Sequence, residues 1–141
     1  MMILPYKPEH LEELLLQPSQ AYMRPFMSDK VYQNALQIEG MAFSAIMDGK
    51  VIACAGVLPL WENRGHAWAL LNDNIKTNFV SIHRATARFL DTCRMNRIET
   101  HVDKDFGCAL RWMEMLGFEC EGTMRKYTSD GRDAYMFARV R

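Results

Sequence analysis

The sequence is short of most features that mark a special class of protein. Charge of one sign is missing: 17 Lys and Arg balance 17 Asp and Glu, which removes the global attraction that most binders of nucleic acid or anionic membranes display. Any anion site has to be local. Long hydrophobic runs are missing too: no segment is apolar over the ~20 residues of a bilayer span, and the opening MMILPYKPEHLEE turns charged too early for a secretory signal. A cytoplasmic protein is expected. Cysteine is sparse and scattered. Cys54, Cys93, Cys108 and Cys120 match no zinc or redox spacing, and His10, His66, His83 and His101 add no clustered ligand set. No metal is expected, and the thiols are read as buried and reduced. Repeats, low-complexity stretches and Gly/Ser- or Pro-rich linkers are absent, so residues 1–141 are read as a single domain.

What is present is enough for one ordinary core, since 49% of the residues are hydrophobic. Met2–Leu4 reads as a short strand. Pro8 suits the first turn of a helix carrying Leu11, Leu14 and Leu15, and Pro18 stops it. A second helix is expected from Ser28 or Asp29, through Val31, Ala35 and Leu36, to Gly40. From Met41 the period changes. AFSAIM and VIACAGVL are apolar runs joined by Asp48-Gly49, a pair that accepts the positive φ angles of a tight hairpin, and the second run is apolar enough to be covered on both faces.

After a loop at Trp61–Arg64, Gly65–Leu71 gives a third strand. A long helix follows, roughly Thr77 to Asn96, with Phe79, Ile82, Ala85, Phe89, Leu90 and Cys93 at helical spacing, and Arg84 and Arg88 on a solvated face. Ile98–Val102 is a short strand. Asp105 can cap a helix whose stripe is Phe106, Ala109, Leu110, Met113 and Leu116. Gly117 falls where that helix needs a left-handed residue, and Phe118 can fold back on Met113. Two strands then flank Asp130-Gly131, a second tight-turn pair, and the last, AYMFARV, is apolar on both faces. The order defines a mixed α/β domain on a central sheet.

That order, and the string Ala109-Leu110-Arg111-Trp112-Met113-Glu114-Met115-Leu116-Gly117-Phe118 followed by Glu119 and Glu121-Gly122, resembles the GNAT superfamily of N-acetyltransferases. The resemblance implies a mixed, mostly antiparallel sheet flanked by helices on both faces, and acetyl transfer from acetyl-CoA to an amine. The coenzyme would lie where the fourth and fifth strands splay, with Leu71 beside it and its pyrophosphate on the start of the long helix. Such a start favours an anion because of its free N–H groups and dipole. The corresponding stretch, Asn72-Asp73-Asn74-Ile75-Lys76-Thr77-Asn78-Phe79, lacks the family's Gly-x-Gly. Lys76, Thr77 and Asn78 remain as a cation, a hydroxyl and N–H donors; the alternative role of Thr77 and Asn78 is capping.

Two further positions depart from the pattern. Met113 stands where the family often has a tyrosine that protonates the departing thiolate, and Phe106 near a frequent asparagine. His66 is the candidate base, with an ordinary pKa of about 6.5 that suits the task. Tyr127 is the candidate acid, Glu99 or His101 could act through water, and Glu119 with Glu121 could attract a cationic acceptor or form a solvated edge.

The ending KYTSDGRDAYMF is similar to that of small phage-encoded GNAT-like proteins, including internal virion proteins. It implies an alternative: a catalytically inactive GNAT-fold protein of phage or prophage origin, acting as a virion or protein-binding component in the particle or the host cytoplasm. A third reading, a hydrolase using Cys108 with His101, lacks a nucleophile motif.

Overall fold

The computed structural model describes residues 1–141, the side chain of residue 74 excepted. Its strands form one seven-stranded sheet in the order β1-β2-β3-β4-β5-β7-β6. These are β1 (Met2–Pro5), β2 (Ala42–Met47), β3 (Lys50–Trp61), β4 (Arg64–Leu71), β5 (Arg97–Asp103), β6 (Glu119–Met124) and β7 (Ala134–Val140). The described β4–β5 pairing is parallel, whereas β1–β2, β2–β3, β5–β7 and β6–β7 are antiparallel. The mixed α/β expectation holds. The chain divides into two compact units, Met1–Leu58 with Trp68–Ile82 and Pro59–Ala67 with His83–Arg141.

In the first unit, Asp48 (φ 51°) and Gly49 (φ 74°) close β2 onto β3. Positive φ at both central residues matches the twist of the flanking strands, as the Asp-Gly pair requires. Val51–Cys54 are all buried, so this part of β3 is covered on both faces. Gly56 is fixed by space: a Cβ there would stand 2.3 Å from the Met41 carbonyl oxygen. The core gathers Tyr6, Leu11, Leu36, Val51, Cys54 and Leu70.

The early helices are shorter than their sequence pattern. Helix α1 is Pro8–Glu13, its chain turns extended at Leu14, and Leu15, expected on the apolar stripe, is 75% exposed. A 3-10 segment, Pro18–Met23, and a single turn, α2 (Arg24–Met27), follow. Helix α3 begins after Asp29, whose carboxylate accepts the Val31 and Tyr32 N–H groups, but it ends at Ala35 and not at Gly40. Val31 is 79% exposed and Ile38 37%, while the inward positions between them are Gln33, whose Nε2 donates to the Met27 carbonyl, and Leu36.

The long helix is also trimmed. A 3-10 segment, Asp73–Asn78, precedes α4 (Phe79–Thr92), so Thr77 and Asn78 lie before the helix. In the second unit α5 spans Gly107–Met115, and Phe106 takes the cap position expected of Asp105. Its end follows the sequence. Gly117 has φ 87°, its N–H donates to the Glu114 carbonyl, and the Phe118 N–H donates to the Met113 carbonyl. This is the bond pair of a Schellman stop, with Phe118 buried behind it.

The second Asp-Gly pair behaves differently. Between β6 and β7 lies a loop over residues 125–133 in which Gly131 has φ 81° and Lys126 φ 52°. Thr128 organises it: its hydroxyl donates to Asp130 and accepts the Arg132 N–H. Asp133 Oδ1 accepts the Lys126 N–H. A polar side-chain network thus replaces the expected tight turn.

Candidate active site

Strand β5 reads Arg97-Ile98-Glu99-Thr100-His101-Val102-Asp103, and its side chains alternate between faces. Ile98 and Val102 are buried on one face. Arg97, Glu99, His101 and Asp103 line the other. The parallel register sets His66 against Glu99 and Arg64 against Arg97, so β4 adds a cation and an imidazole to the same face.

At one end of this stripe, Glu99 is buried to 4% exposure and held by two guanidinium groups. Arg64 Nε reaches its Oε1 at 2.9 Å, with a second contact from Nη2, and Arg97 Nε reaches its Oε2 at 2.7 Å. Burial pushes the carboxyl up, but the Arg64 and Arg97 hydrogen bonds outweigh it and hold Glu99 below the usual range. Its two oxygens are engaged, which removes Glu99 as a free base. Arg97 also grips Glu121 through both carboxylate oxygens, at 2.6 and 3.1 Å, so Glu121 is an anchor and not an open lure for a cation. Glu119 is exposed next to the bulge at Cys120 and Gly122. Arg64 completes the corner by stacking over Trp61, 4.3 Å from the ring centre.

At the other end Asp103 faces the Arg132 guanidinium, and its Oδ1 accepts the Asp105 N–H at 2.9 Å. Between these ion pairs three rings meet. His66 stacks on His101 with ring centres 5.4 Å apart and planes at 28°, and Tyr127 tilts against His101 at 4.8 Å and 58°. Burial lowers the pKa of His66; Glu99 counters this in part, and Arg64 adds to it. Burial, helped by the neighbouring His66, pushes His101 down to about 4. Both imidazoles are therefore neutral near pH 7 and keep a lone pair. His101 Nδ1 is buried with no hydrogen-bond partner. Tyr127 is 46% exposed, so its ring lies between the half-buried pair and solvent.

Two of the sequence candidates, His66 and Tyr127, are thus brought together through His101. The others lie in the first unit. Leu71 is buried, its N–H donates to Gln20 Oε1 at 2.9 Å, and its carbonyl accepts the Gln17 N–H at 2.8 Å. Lys76 and Thr77 are exposed, while the Asn78 carboxamide donates to Met47 Sδ at 2.9 Å and to the Thr77 hydroxyl at 3.1 Å.

The thiols only partly follow expectation. All four are free, Cys54 and Cys93 are buried, but Cys108 and Cys120 are exposed. Burial pushes the Cys54 thiol up to about 12, which makes it inert. Cys108 Sγ accepts from Arg111, and the described ring partners of His101 are His66 and Tyr127, so no Cys108–His101 pair supports a hydrolase. Sequence reasoning missed Arg64, Arg97 and Asp103. For Arg97 and Asp103 the signal is the charged or ionisable residue at every second position of β5; Arg64, on β4, has no such signal. Among the described residues no group of three or more His, Cys, Asp or Glu could hold a metal, and no helix is long and apolar enough to cross a membrane.

The sequence matches no protein-family model and no curated protein. Solved structures do match. The chain is similar to the ribosomal-protein-S18-alanine N-acetyltransferase from Escherichia coli, with 18% identity, TM-score 0.71, and 99% of this chain and 92% of that one covered. It is similar to Ard1 from Thermoplasma volcanium, with 16% identity, TM-score 0.75, and coverage of 99% and 96%. A GNAT-family acetyltransferase from Streptococcus pneumoniae gives 11% identity, TM-score 0.70, and coverage of 99% and 98%. At these identities the likeness establishes the fold, which is that of GNAT acetyltransferases.

Proposed function

We propose that the chain is an N-acyltransferase that moves an acetyl group from acetyl-CoA to an amine, with a coenzyme site that departs from the usual glycine-rich pattern. The observation that carries this reading is the half-buried, uncharged His66–His101 stack with Tyr127 against it, in a chain with this fold. An amine is a nucleophile only after losing a proton, and a neutral imidazole supplies the acceptor. Acetyl-CoA supplies a thioester, whose carbonyl carbon forms the new C–N bond as the C–S bond breaks. His66 takes the ammonium proton, directly or through one water. The Tyr127 hydroxyl gives a proton to the departing sulfur, the role Met113 cannot fill, and the second proton that the nitrogen sheds as the amide forms restores the phenol. His101 supports both: its ring stacks on His66 and seats the Tyr127 ring.

For the coenzyme phosphates the chain offers Lys76, Thr77 and Asn78. The donors fit an anion in kind: a cation, a hydroxyl and an amide at a turn entering a helix. Asp73, at the start of the same 3-10 segment, opposes that charge, so Lys76 is the residue on which binding depends. The test is thermal unfolding with and without millimolar acetyl-CoA. The expected result is a rise in midpoint of several degrees, lost in Lys76→Glu, because a ligand that binds the native state stabilises it by mass action. An unchanged midpoint, with no acetylated product from a panel of amines, would overturn the reading.

The missing Gly-x-Gly and the occupied backbone of Leu71 favour a second reading, a protein-binding role on the same scaffold, which in the phage or prophage form is a virion component. It predicts a stable complex with another protein and indifference to acetyl-CoA.

A further inference from the structure

Residues 67, 69 and 71 of β4 alternate, so their backbone groups point to one edge of the strand. Each described bond on that edge goes to a side chain or to a non-strand residue. Thr100 Oγ1 donates to the Ala67 carbonyl at 2.8 Å. Further along, within the first unit, the Gln20 carboxamide spans two groups at once. Its Nε2 donates to the Ala69 carbonyl at 2.8 Å, and its Oε1 accepts the Leu71 N–H at 2.9 Å. That is what one residue of a parallel strand does: it gives its N–H to one carbonyl and takes the N–H two residues on. The Gln17 N–H then takes the Leu71 carbonyl at 2.8 Å, and Gln17 Nε2 donates to Gln20 Oε1 at 3.1 Å, which fixes the orientation of the amide.

We infer that Gln20 is a built-in occupant of a secondary-amide site on the β4 edge, a latch that an extended amide ligand must displace. The ligand chemistry follows from the two groups held. Only a molecule that presents an amide donor and an amide acceptor in extended form replaces both bonds, as in strand addition to an open edge. Gln20 sits in a short 3-10 segment, Pro18–Met23, whose Met23 packs against the core, so release is a rotation of the half-buried Gln20 side chain and needs no withdrawal of the segment. The inference rests on the acyltransferase reading for its ligand, the amide-bearing arm of coenzyme A. In that setting the latch sets the affinity for acetyl-CoA: every binding event replaces the internal carboxamide, and whatever holds Gln20 down competes with coenzyme.

The probe is pantetheine, titrated against the full chain while NMR follows the Gln20 side-chain amide and the Leu71 N–H. The Gln20 signals should move to the positions of a solvated glutamine while the Leu71 N–H stays protected from exchange. Gln20→Ala should bind pantetheine and acetyl-CoA about tenfold more tightly than the wild type, the size expected when competing hydrogen bonds are removed. Gln20→Glu keeps the acceptor but places a carboxylate against the Ala69 carbonyl, and it should tighten binding in the same direction, which guards against misfolding of one variant. Binding of pantetheine or acetyl-CoA with undisturbed Gln20 signals, or no gain in either variant, would overturn the latch and leave the acyltransferase reading standing. Displacement of Gln20 by pantetheine with no acetyl transfer would do the reverse. No binding to any variant would overturn both.

Discussion

Two hairpins in this chain carry the same dipeptide and use it differently. Asp48-Gly49 has positive φ at both residues and joins β2 to β3 with nothing to spare. At Asp130-Gly131 the glycine takes positive φ while the aspartate does not, and the pair sits inside a loop over residues 125–133. The difference lies in the neighbours. Lys50 and Met47 pair directly across the first turn, whereas Thr128, Asp130, Arg132 and Asp133 bond to one another and to the backbone across the second. The short connection is architecture. The long one has residues to spare, and it uses them to lay Tyr127 on His101. Asp-Gly is thus a statement about two φ angles; whether a turn carries chemistry depends on the polar side chains around it.

The largest effect that could break this contrast is on turnover. Tyr127→Phe keeps the ring against His101 and removes the hydroxyl, so kcat for acetyl transfer should fall by roughly 100-fold while stability changes by less than about 0.5 kcal/mol. His66→Gln should cost at least as much and flatten the acid limb of the pH–rate profile. Steady-state kinetics beside thermal melts of the same variants separate the two quantities. A Tyr127→Phe protein with unchanged kcat would reduce the long loop to architecture like the short one.

Much of this contrast is legible in the sequence, and the rest shows what local patterns lack. Both strand pairs, the Gly117 stop and the placement of His66 on the strand before the long helix follow from period and turn chemistry. The clustering of His66, His101 and Tyr127 depends on register: β4 meets β5 at Arg64–His66 with Arg97–Glu99, and no local pattern reports which residues face each other across strands distant in sequence. Leu15 and Val31, both counted on apolar stripes, are exposed; helical spacing alone does not say which face meets a core. Glu99 illustrates the same limit. As a lone carboxylate it is a candidate base, and two arginines from different strands cancel that role.

A second effect, about 3 kcal/mol, concerns stability against pH. His101 has a folded pKa of about 4 against an ordinary 6.5, so between these values the unfolded chain binds the proton that the native state refuses. Stability is fully present above about pH 6.5 and is lost as the pH falls toward 4, by about 1.4 kcal/mol for each pH unit crossed. His101→Phe should remove most of that slope in urea titrations at successive pH values. The loss that remains should belong first to His66, whose pKa burial also lowers, and at lower pH to Glu99, whose lowered pKa gives stability that fades as the pH falls through its own folded value. An unchanged slope in His101→Phe would mean that His101 titrates normally, and Tyr127 would then rest on a well-solvated imidazole and not on a half-buried one.

The smallest effect compares the two glycines directly. Gly49 has φ 74° and Gly131 φ 81°, and a Cβ added at either meets nothing within 4 Å. Alanine at each position should therefore cost about 1 kcal/mol of backbone strain and no more, which makes the pair a matched control. Equal melting shifts are expected. Turnover should not follow them: Gly49→Ala leaves it unchanged, while Gly131→Ala strains the segment whose bonds run from Thr128 to Arg132 and so shifts the adjoining Tyr127, lowering kcat several-fold. If both variants lose activity in proportion to stability, the long loop holds Tyr127 no more specifically than the rest of the fold does. If Gly131→Ala alone loses it, the loop is what positions the acid.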